Sequence, residues 1–253
     1  MKRPRVSPCV FIFFAVFALI CNGQITDVAP PTGNANFQKK EFTAKDGGKL
    51  SYWLMTPAAV EPGKKYPLVL ALHGRGGNTD AAGTLGSDEL RTKYPCFVMA
   101  PAVSRAETWA VPAAAGSRGK PMLPVALEAL EKLKTDLPID ANRVYVTGQS
   151  MGGYGTFGAL AASPQTFAAA MPICGGWDAA DAAKMKDVPI WVFHGDADAT
   201  VPIERSRTMV EAIKKAGGSP KFTEYPGVGH NSWLKAYAAS ETWDWLFAQT
   251  KAK

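Results

Sequence analysis

Short apolar runs alternate with helix-period segments along most of this chain. Six runs have the length and composition of buried strands: 68–72, 97–100, 144–147, 168–173, 190–193 and 222–225. Strands that alternate with helices form a parallel sheet with helices on both faces. Two earlier runs, 42–44 and 50–55, are joined by Asp46, Gly47 and Gly48, which is a hairpin signal. The pattern predicts an α/β fold with a mostly parallel sheet and an antiparallel hairpin at one edge.

Three segments carry the apolar period of amphipathic helices. In the first, leucines from Leu123 to Leu137 share one face, and Pro138 ends the segment. The second covers residues 203–216 and is closed by two glycines. The third covers residues 232–249, with aromatic residues that include Trp233, Tyr237, Trp243 and Phe247. These segments predict three of the helices that cover the sheet.

The N-terminus has the pattern of a secretory signal peptide. Lys2, Arg3 and Arg5 precede an apolar run at 9–21, and small residues lead to Gly23. We expect cleavage near Gly23 and a secreted or periplasmic protein. A membrane anchor needs about 20 apolar residues. Because this run is shorter, we expect no stable membrane insertion after cleavage.

The remaining chain divides into two parts. Residues 24–38 are rich in proline, glycine and amide side chains and are expected to form a flexible leader. Residues 39–253 show no internal repeat and no low-complexity tract, and they are expected to form one domain. The composition, 47% hydrophobic and 20% charged, is typical of a globular protein with one large core.

Charge and cysteine usage exclude several classes of partner. The net charge is +6, and the basic residues are spread along the chain rather than clustered with aromatic residues, so nucleic-acid binding is not expected. Cys96 opens one predicted strand and Cys174 closes another, which places them at opposite ends of a parallel sheet. We expect two buried free thiols. The sequence has no CxxC or Cys/His metal spacing, so we expect no metal and no cofactor.

The segment VYVTGQSMGGYGTFG at 144–158 places Ser150 in a GxSxG sequence between a strand pattern and a helix pattern. A serine in that position lies on a tight, strained turn, with its hydroxyl exposed above the sheet. Gly148 and Gly152 flank the turn where a side chain would collide with the neighbouring strand or helix. The segment predicts a nucleophile elbow with Ser150 as the nucleophile.

A serine nucleophile needs an imidazole base and a carboxylate that orients it. His73 and His194 each directly follow a predicted strand, whereas His230 lies in the glycine-rich loop GVGH and can reach over the carboxyl ends of the sheet. We therefore predict His230 as the base. The loop HGDADATVP offers two acids. Asp198 is favoured, and Asp196 remains the alternative because it can instead accept hydrogen bonds from loop amides.

The developing oxyanion needs two donors, for which backbone amides are suited. Met151 follows the serine directly and is predicted to supply one. The turn HGRGG after the run 68–72 is predicted to supply the other, from Arg75 or, as second choice, Gly74. The alternative interpretation of HGRGG is a plain tight turn. The sequence has no GxxxxGK[ST] motif that would indicate a phosphate site.

The motifs HGRGG, GQSMGG, HGDADATVP and GVGHNSW, in the order Ser, Asp, His, resemble those of the α/β hydrolase superfamily. Within it, the chain is similar to bacterial secreted phospholipase/carboxylesterase and dienelactone hydrolase-like enzymes, some related to prolyl oligopeptidases. The resemblance implies an α/β hydrolase fold with about eight strands, no large lid and a catalytic domain over residues 39–253. Dienelactone hydrolases carry a cysteine where this chain has Ser150.

The short stretch between Cys174 and the next strand predicts an open site. We expect an exported carboxylesterase acting on short-acyl, aromatic or carbohydrate-linked esters, without activation at an oil interface. Trp109, Trp177 and Trp233 are candidates for an aromatic platform that binds substrate, although each could equally fill the core. Two alternatives remain: a serine peptidase that uses the same three residues, and a non-catalytic binding module.

Overall fold

The computed structural model describes residues 30–31, 35–77, 80–110 and 119–251. Its strands, in chain order, are β1 (Phe37–Thr43), β2 (Lys49–Met55), β3 (Tyr66–Leu72), β4 (Phe97–Ala102), β5 (Glu107–Thr108), β6 (Lys120–Pro121), β7 (Ile139–Gln149), β8 (Ala169–Ile173), β9 (Trp191–Gly195) and β10 (Lys221–Tyr225). Eight of them form one sheet in the order β1-β2-β4-β3-β7-β8-β9-β10, and β5 pairs separately with β6.

The main sheet confirms the predicted mostly parallel arrangement. Strands β4, β3, β7, β8, β9 and β10 are parallel to one another, whereas β2 is antiparallel to both β1 and β4. The predicted edge hairpin is therefore present. The first strand begins at Phe37, earlier than the predicted run at 42–44, because Phe37 pairs with Met55 and is itself buried.

Helices lie on both faces of this sheet. They are α1 (Asp80–Leu85), α2 (Asp88–Lys93), α3 (Leu123–Asp136), α4 (Met151–Ala162), α5 (Ala182–Met185), α6 (Glu204–Lys215), α7 (Trp233–Ala238) and α8 (Ser240–Ala248). Alternation along β3 separates the two cores. Leu68, Leu70 and Leu72 pack with α3, α4 and α6, whereas Val69 and Ala71 pack with α1, α7 and α8.

Two of the three predicted helices match their predicted bounds, and the third does not. Helix α3 ends at Asp136, just before Pro138, and α6 lies within 203–216 as expected. The segment 232–249 is not one helix, because it breaks at Ala239, whose ψ of 119° is extended. At this break the Trp243 ring nitrogen donates to the Tyr237 carbonyl at 2.8 Å, a hydrogen bond that stabilises the separated ends.

Cys96 and Cys174 are buried free thiols, as predicted. Residues 1–23, predicted as a signal peptide, and most of the predicted leader at 24–38 lie outside the described residues. Within the part of the chain that is described, no helix combines the length and hydropathy needed to cross a membrane.

Candidate active site

Ser150 lies on a strained turn between β7 and α4. Its φ of 55° and ψ of −118° fall in a region that L-residues rarely adopt. Such a backbone costs about 1–3 kcal/mol and persists only where the surroundings enforce it. The Ser150 amide donates to the Ile173 carbonyl at 3.0 Å, which fixes the turn to the end of β8. The predicted nucleophile elbow is therefore present, with the serine side chain above the carboxyl ends of the strands.

Gly148 shows why the elbow needs a residue without a side chain before the serine. A Cβ at Gly148 would lie 2.5 Å from the Gly152 carbonyl oxygen and 2.6 Å from that of Leu72. Both distances are far below any real Cβ contact. The sharp return of the chain from strand to helix is therefore possible only with glycine at this position.

The structure brings Ser150, His230 and Asp198 together in one chain of hydrogen bonds. The Oγ atom of Ser150 lies 2.9 Å from Nε2 of His230, although 80 residues separate them in sequence. The Nδ1 atom of His230 lies 2.7 Å from Oδ2 of Asp198. A carboxylate only accepts, so Nδ1 carries the proton and Nε2 is left to accept the proton of the serine hydroxyl. This is the geometry of an imidazole that acts as a general base on a hydroxyl nucleophile.

Asp198 is buried and held on both oxygens. Its Oδ1 accepts the amides of Thr200 at 2.8 Å and Val201 at 2.9 Å, while Oδ2 faces His230. Burial alone would raise the pKa of Asp198, but the hydrogen bonds from His230 and from the two amides outweigh burial and lower it. The carboxylate is therefore ionised at neutral pH.

Asp196 takes the alternative role that the sequence left open. It is exposed, and its Oδ1 accepts the Gly227 amide at 2.6 Å. A second link joins the same two loops, because the Ala197 amide donates to the Val228 carbonyl at 3.1 Å. Asp196 thus ties the loop after β9 to the loop that carries His230, and it does not contact the imidazole.

The turn His73–Gly77 lies beside the serine, as predicted. Gly77 donates to the Gly74 carbonyl at 3.0 Å, which leaves Arg75 at a central position of a tight turn. A Cβ at Gly74 would lie 3.6 Å from the Cβ of Ser150, so the turn and the elbow are in contact. Met151 is the first residue of α4, where amides have no partner within the helix. Arg75 and Met151 line one cavity with Ser150.

The side chain of His73 is hydrogen-bonded to this turn. It is buried, its Nδ1 lies 2.6 Å from the Gly74 carbonyl, and its Nε2 accepts the Val103 amide at 3.1 Å. Burial lowers the pKa of His73, so the ring is neutral and donates from Nδ1. The sequence predicts His230, and not His73, as the base. In the structure His73 supports the turn.

The cavity in front of Ser150 has a volume of about 550 Å³ and is mostly apolar. Of the three predicted platform residues, Trp233 lines this cavity, and its ring lies edge-on to His230 with centroids 5.3 Å apart. Trp177 lines a separate apolar cavity of about 440 Å³, and its ring nitrogen donates to Asp181 at 2.9 Å. Ala110 lines both cavities.

Trp109, the third predicted platform residue, is buried and does not line the cavity in front of Ser150. Its exposed fraction is 0%, and its ring nitrogen donates to the His73 carbonyl at 2.8 Å. Gly155 of α4 packs so closely that a Cβ there would lie 2.7 Å from the Cβ of Trp109. Trp109 therefore fills the core beneath the helix, which is the alternative that the sequence allowed, and it borders the cavity that Trp177 lines.

One cluster at the site has the residue types of metal ligands. Potential ligand atoms of Cys174, Asp198 and His230 all lie within 4.8 Å of one another. Burial raises the pKa of the Cys174 thiol to about 12, so the thiol stays protonated and is a poor ligand. The facing atoms of Asp198 and His230 are already hydrogen-bonded to each other. The donor set thus suits proton transfer better than metal binding.

Comparison with known proteins agrees with this fold. The model of the dienelactone hydrolase family matches residues 106–243, more than half of the chain, and its span includes Ser150, Asp198 and His230. Arg75 lies outside the matched span. This match supports the resemblance to α/β hydrolases that the motifs indicated.

Individual relatives are an esterase, a peptidase and a carboxylesterase. A solved structure described as a thermostable esterase is 37% identical with a TM-score of 0.79, covering 85% of this chain and 64% of that one. An uncharacterized peptidase, YuxL of Bacillus subtilis, is 26% identical over 76% of this chain and 35% of its own length. A probable carboxylesterase, SOBER1-like of Arabidopsis thaliana, is 29% identical over 38% of this chain and 43% of its own length. The chain thus spans about a third of the peptidase and less than two thirds of the esterase.

Proposed function

The chain belongs to the dienelactone hydrolase family of α/β hydrolases, and from this membership we propose that it is an exported serine hydrolase that cleaves carboxylic esters through an acyl-enzyme on Ser150. The observation that carries the proposal is the hydrogen-bond chain from Ser150 through His230 to Asp198. The esterase activity named for one solved relative agrees with it. No metal or cofactor takes part in the proposed reaction.

In the first step, His230 takes the proton of the Ser150 hydroxyl on Nε2 while the serine oxygen attacks the ester carbonyl carbon. The carbonyl oxygen becomes an oxyanion, held by the amides of Met151 and Arg75. When the tetrahedral intermediate collapses, the bond to the alcohol oxygen breaks. His230 returns its proton to that oxygen, and the alcohol leaves. Asp198 keeps the imidazole in the required tautomer and stabilises its charged form.

In the second step, water replaces the alcohol. His230 takes a proton from water as its oxygen attacks the acyl carbon, the same two amides hold the new oxyanion, and collapse breaks the bond to Ser150. The proton on His230 passes to the serine oxygen, and the carboxylic acid is released. Serine, histidine and aspartate return to their starting states, so no further reactant is needed.

Short-acyl, aromatic or carbohydrate-linked esters are the proposed substrates. The cavity is apolar and open, and Trp233 supplies an aromatic side chain within it, next to His230. In the described part of the chain, no large lid covers Ser150. An open apolar cavity with one aromatic wall suits small or planar acyl groups better than long lipid chains. Partners other than such esters, including nucleic acids, form no part of the proposal.

A peptidase activity on the same residues is the second candidate. It is favoured by the similarity of 76% of this chain to an uncharacterized peptidase. An ester and the amide of identical acyl and leaving groups distinguish the two, because an amide leaving group must be protonated before it can depart. Faster turnover of the amide would favour the peptidase.

The proposal is tested with p-nitrophenyl acetate, p-nitrophenyl butyrate, a feruloyl ester and a matched peptide, given to the wild type and to Ser150→Ala. We expect hydrolysis of at least one ester by the wild type and none above background by the variant. Circular dichroism spectra that agree between the two proteins serve as the control for folding. Equal turnover by wild type and variant would overturn the proposed role of Ser150. Cleavage of the N-terminal segment during export from a bacterial host, read from the mass of the mature protein, tests the exported state.

A further inference from the structure

A second imidazole, that of His194, also lies against the carboxylate of Asp198. His194, in β9, has an exposed fraction of 0%. Its Nε2 lies 3.2 Å from Oδ2 of Asp198 and 2.9 Å from the Val201 carbonyl oxygen. Both neighbours only accept hydrogen bonds, so Nε2 of His194 carries a proton. That proton is donated to the Val201 carbonyl, and Oδ2 of Asp198 lies close enough to the same nitrogen for an electrostatic contact. The Oδ2 atom of Asp198 therefore faces two ring nitrogens, one from each histidine.

The other ring nitrogen of His194 is held from α6. Its Nδ1 lies 2.7 Å from the hydroxyl of Ser206, which also lies 3.0 Å from the Gly175 carbonyl. Burial lowers the pKa of His194, which favours the neutral ring. The Ser206 hydroxyl has one proton and lies within hydrogen-bond distance of two acceptors, Nδ1 of the neutral His194 ring and the Gly175 carbonyl. In both arrangements the Nε2 proton of His194 is donated to the Val201 carbonyl and lies beside Oδ2 of Asp198.

The hydrogen bonds of His194 help to hold the loop that carries Asp198. Val201 donates its amide to Oδ1 of Asp198 and accepts at its carbonyl from His194. The side chain of His194 thus links the backbone of this loop to the Oδ2 side of the carboxylate. Its removal leaves Oδ2 with a single ring donor, which concentrates the negative charge of the carboxylate on the side of His230.

The charged and titratable groups around the two imidazoles come from several elements. They are Asp198 after β9, the Cys174 thiol after β8, Tyr154 on α4, Arg205 on α6 and Glu224 on β10. Among these, Asp198 is the group whose Oδ2 atom lies within 3.2 Å of a ring nitrogen of each histidine. A change at His194 therefore reaches His230 through Asp198.

We propose that His194 is a positioning residue of the hydrolytic site, whose Nε2–H holds the Oδ2 atom of Asp198 and limits the pull of that carboxylate on the His230 proton. The proposal rests on the proposed function for its kinetic consequences. His194 contacts neither the substrate cavity nor Ser150 among the described contacts, so its effect is on the chemical step rather than on substrate binding.

Three variants at one position separate hydrogen bonding from packing. His194→Phe keeps a buried ring but has no donor. In His194→Gln, the amide nitrogen can take the place of Nε2 and donate to Asp198. In His194→Asn, the shorter side chain reaches the position of Nδ1 beside Ser206 but not Asp198. Thermal unfolding of each variant shows whether it folds.

We expect His194→Phe to lower kcat about ten- to a hundredfold, since small displacements of a catalytic group have effects of that size, while KM changes less than threefold. The acidic limb of its kcat/KM profile should move to higher pH by about half a unit, because a more concentrated negative charge favours the protonated imidazole. His194→Gln should return the acidic limb to its wild-type pH and restore most of kcat, whereas His194→Asn should do neither. A profile of His194→Phe that coincides with that of the wild type would overturn the proposal. If His194→Phe does not fold, identical kcat/KM pH profiles for His194→Gln and His194→Asn would overturn the proposal.

A readout without substrate separates this proposal from the proposed function. The Nδ1 proton of His230, hydrogen-bonded to Asp198, gives a far-downfield proton NMR signal that is assigned by its loss in His230→Gln. In the His194→Asn variant the chemical shift of this signal should differ from that of the wild type. In His194→Gln it should stay close to the wild-type value. An unchanged signal in His194→Asn would overturn the role of His194, even if the wild type hydrolysed esters. A wild type that hydrolyses no substrate would instead refute the proposed function, and the NMR signal would still decide the role of His194.

Discussion

Gly152 of α4 lies directly against the carbonyl oxygen of Leu72 at the end of β3. A Cβ at Gly152 would lie 2.0 Å from that oxygen and 2.7 Å from its carbon. The first turn of α4 can therefore approach the sheet only because this residue has no side chain. This contact lies two residues after Ser150 and one residue before His73, so it joins the elbow to the turn on the other side of the site.

Replacing Gly152 by alanine should be severely destabilising. The added methyl group meets backbone atoms, which cannot move aside as a side chain would, and we expect a loss of at least about 3 kcal/mol in the free energy of unfolding. Gly229→Ala is the matched control, because a Cβ there meets nothing closer than 3.9 Å. Urea denaturation of both variants measures the difference. Equal stabilities would show that α4 does not pack on β3 as described.

The strained backbone of Ser150 predicts an unusual order of stabilities. Ser150→Gly should be more stable than Ser150→Ala by about 1–2 kcal/mol, because glycine adopts a positive φ without steric cost and alanine does not. At most positions in proteins the order is the reverse, since glycine gains more freedom on unfolding. Thermal and urea unfolding of the two inactive variants give the comparison. A more stable alanine variant would mean that the turn is not strained.

The two aspartates of the loop after β9 should respond differently to loss of charge. Asp198→Asn leaves the size of the side chain but favours the wrong tautomer of His230, and kcat should fall by about 10⁴-fold, as for other triads. Asp196→Asn should change kcat less than about tenfold, because this side chain contacts the Gly227 amide and not the imidazole. Steady-state kinetics on one ester suffices. A larger loss of kcat for Asp196→Asn than for Asp198→Asn would mean that Asp196 is the carboxylate that orients His230.

Two buried neutral histidines make stability depend on pH. Burial lowers the pKa values of His73 and His194 in the folded protein, whereas in the unfolded chain both are near 6.5. Below that pH the unfolded state binds more protons, so their contribution is fully present above about pH 6.5 and is lost as the pH falls towards the folded values. From about pH 7.5 to about pH 5.5 the free energy of unfolding should fall by up to about 1.4 kcal/mol per histidine.

Urea denaturation at the two pH values, for the wild type and for His194→Gln, tests this dependence. The variant has lost one buried histidine, so its stability should fall less between the two conditions. Parallel losses in both proteins would contradict a neutral, buried His194.

The elbow could be predicted from the sequence because its determinants are local. A strand, a glycine on each side of the serine and a helix follow one another within 144–158, and the structure contains β7, the turn and α4 in that order. The sheet was predictable for a similar reason, since short apolar runs separated by helix-period segments specify parallel strands that are covered on both faces. The break at Ala239 was not, because alanine favours helices and the break depends on the contact between Trp243 and Tyr237.

The finer features of the site depend on distant contacts that spacing does not contain. Asp196 and Asp198 lie two residues apart on one loop, and only the approach of the loop with His230 decides which one contacts the imidazole. The burial of Trp109 depends on Gly155, 46 residues further along the chain. His194 was visible as part of a His-Gly pair, but its contact with Asp198 follows from the course of the loop back over β9.

The central claim is that Ser150 is a reactive nucleophile, and labelling with a fluorophosphonate probe followed by peptide mass spectrometry tests it most directly. We expect one label per chain on the peptide that contains Ser150, loss of the label in Ser150→Ala, and greatly slowed labelling in His230→Gln. A folded wild type that takes up no label, or a label on another residue that persists in Ser150→Ala, would contradict the account.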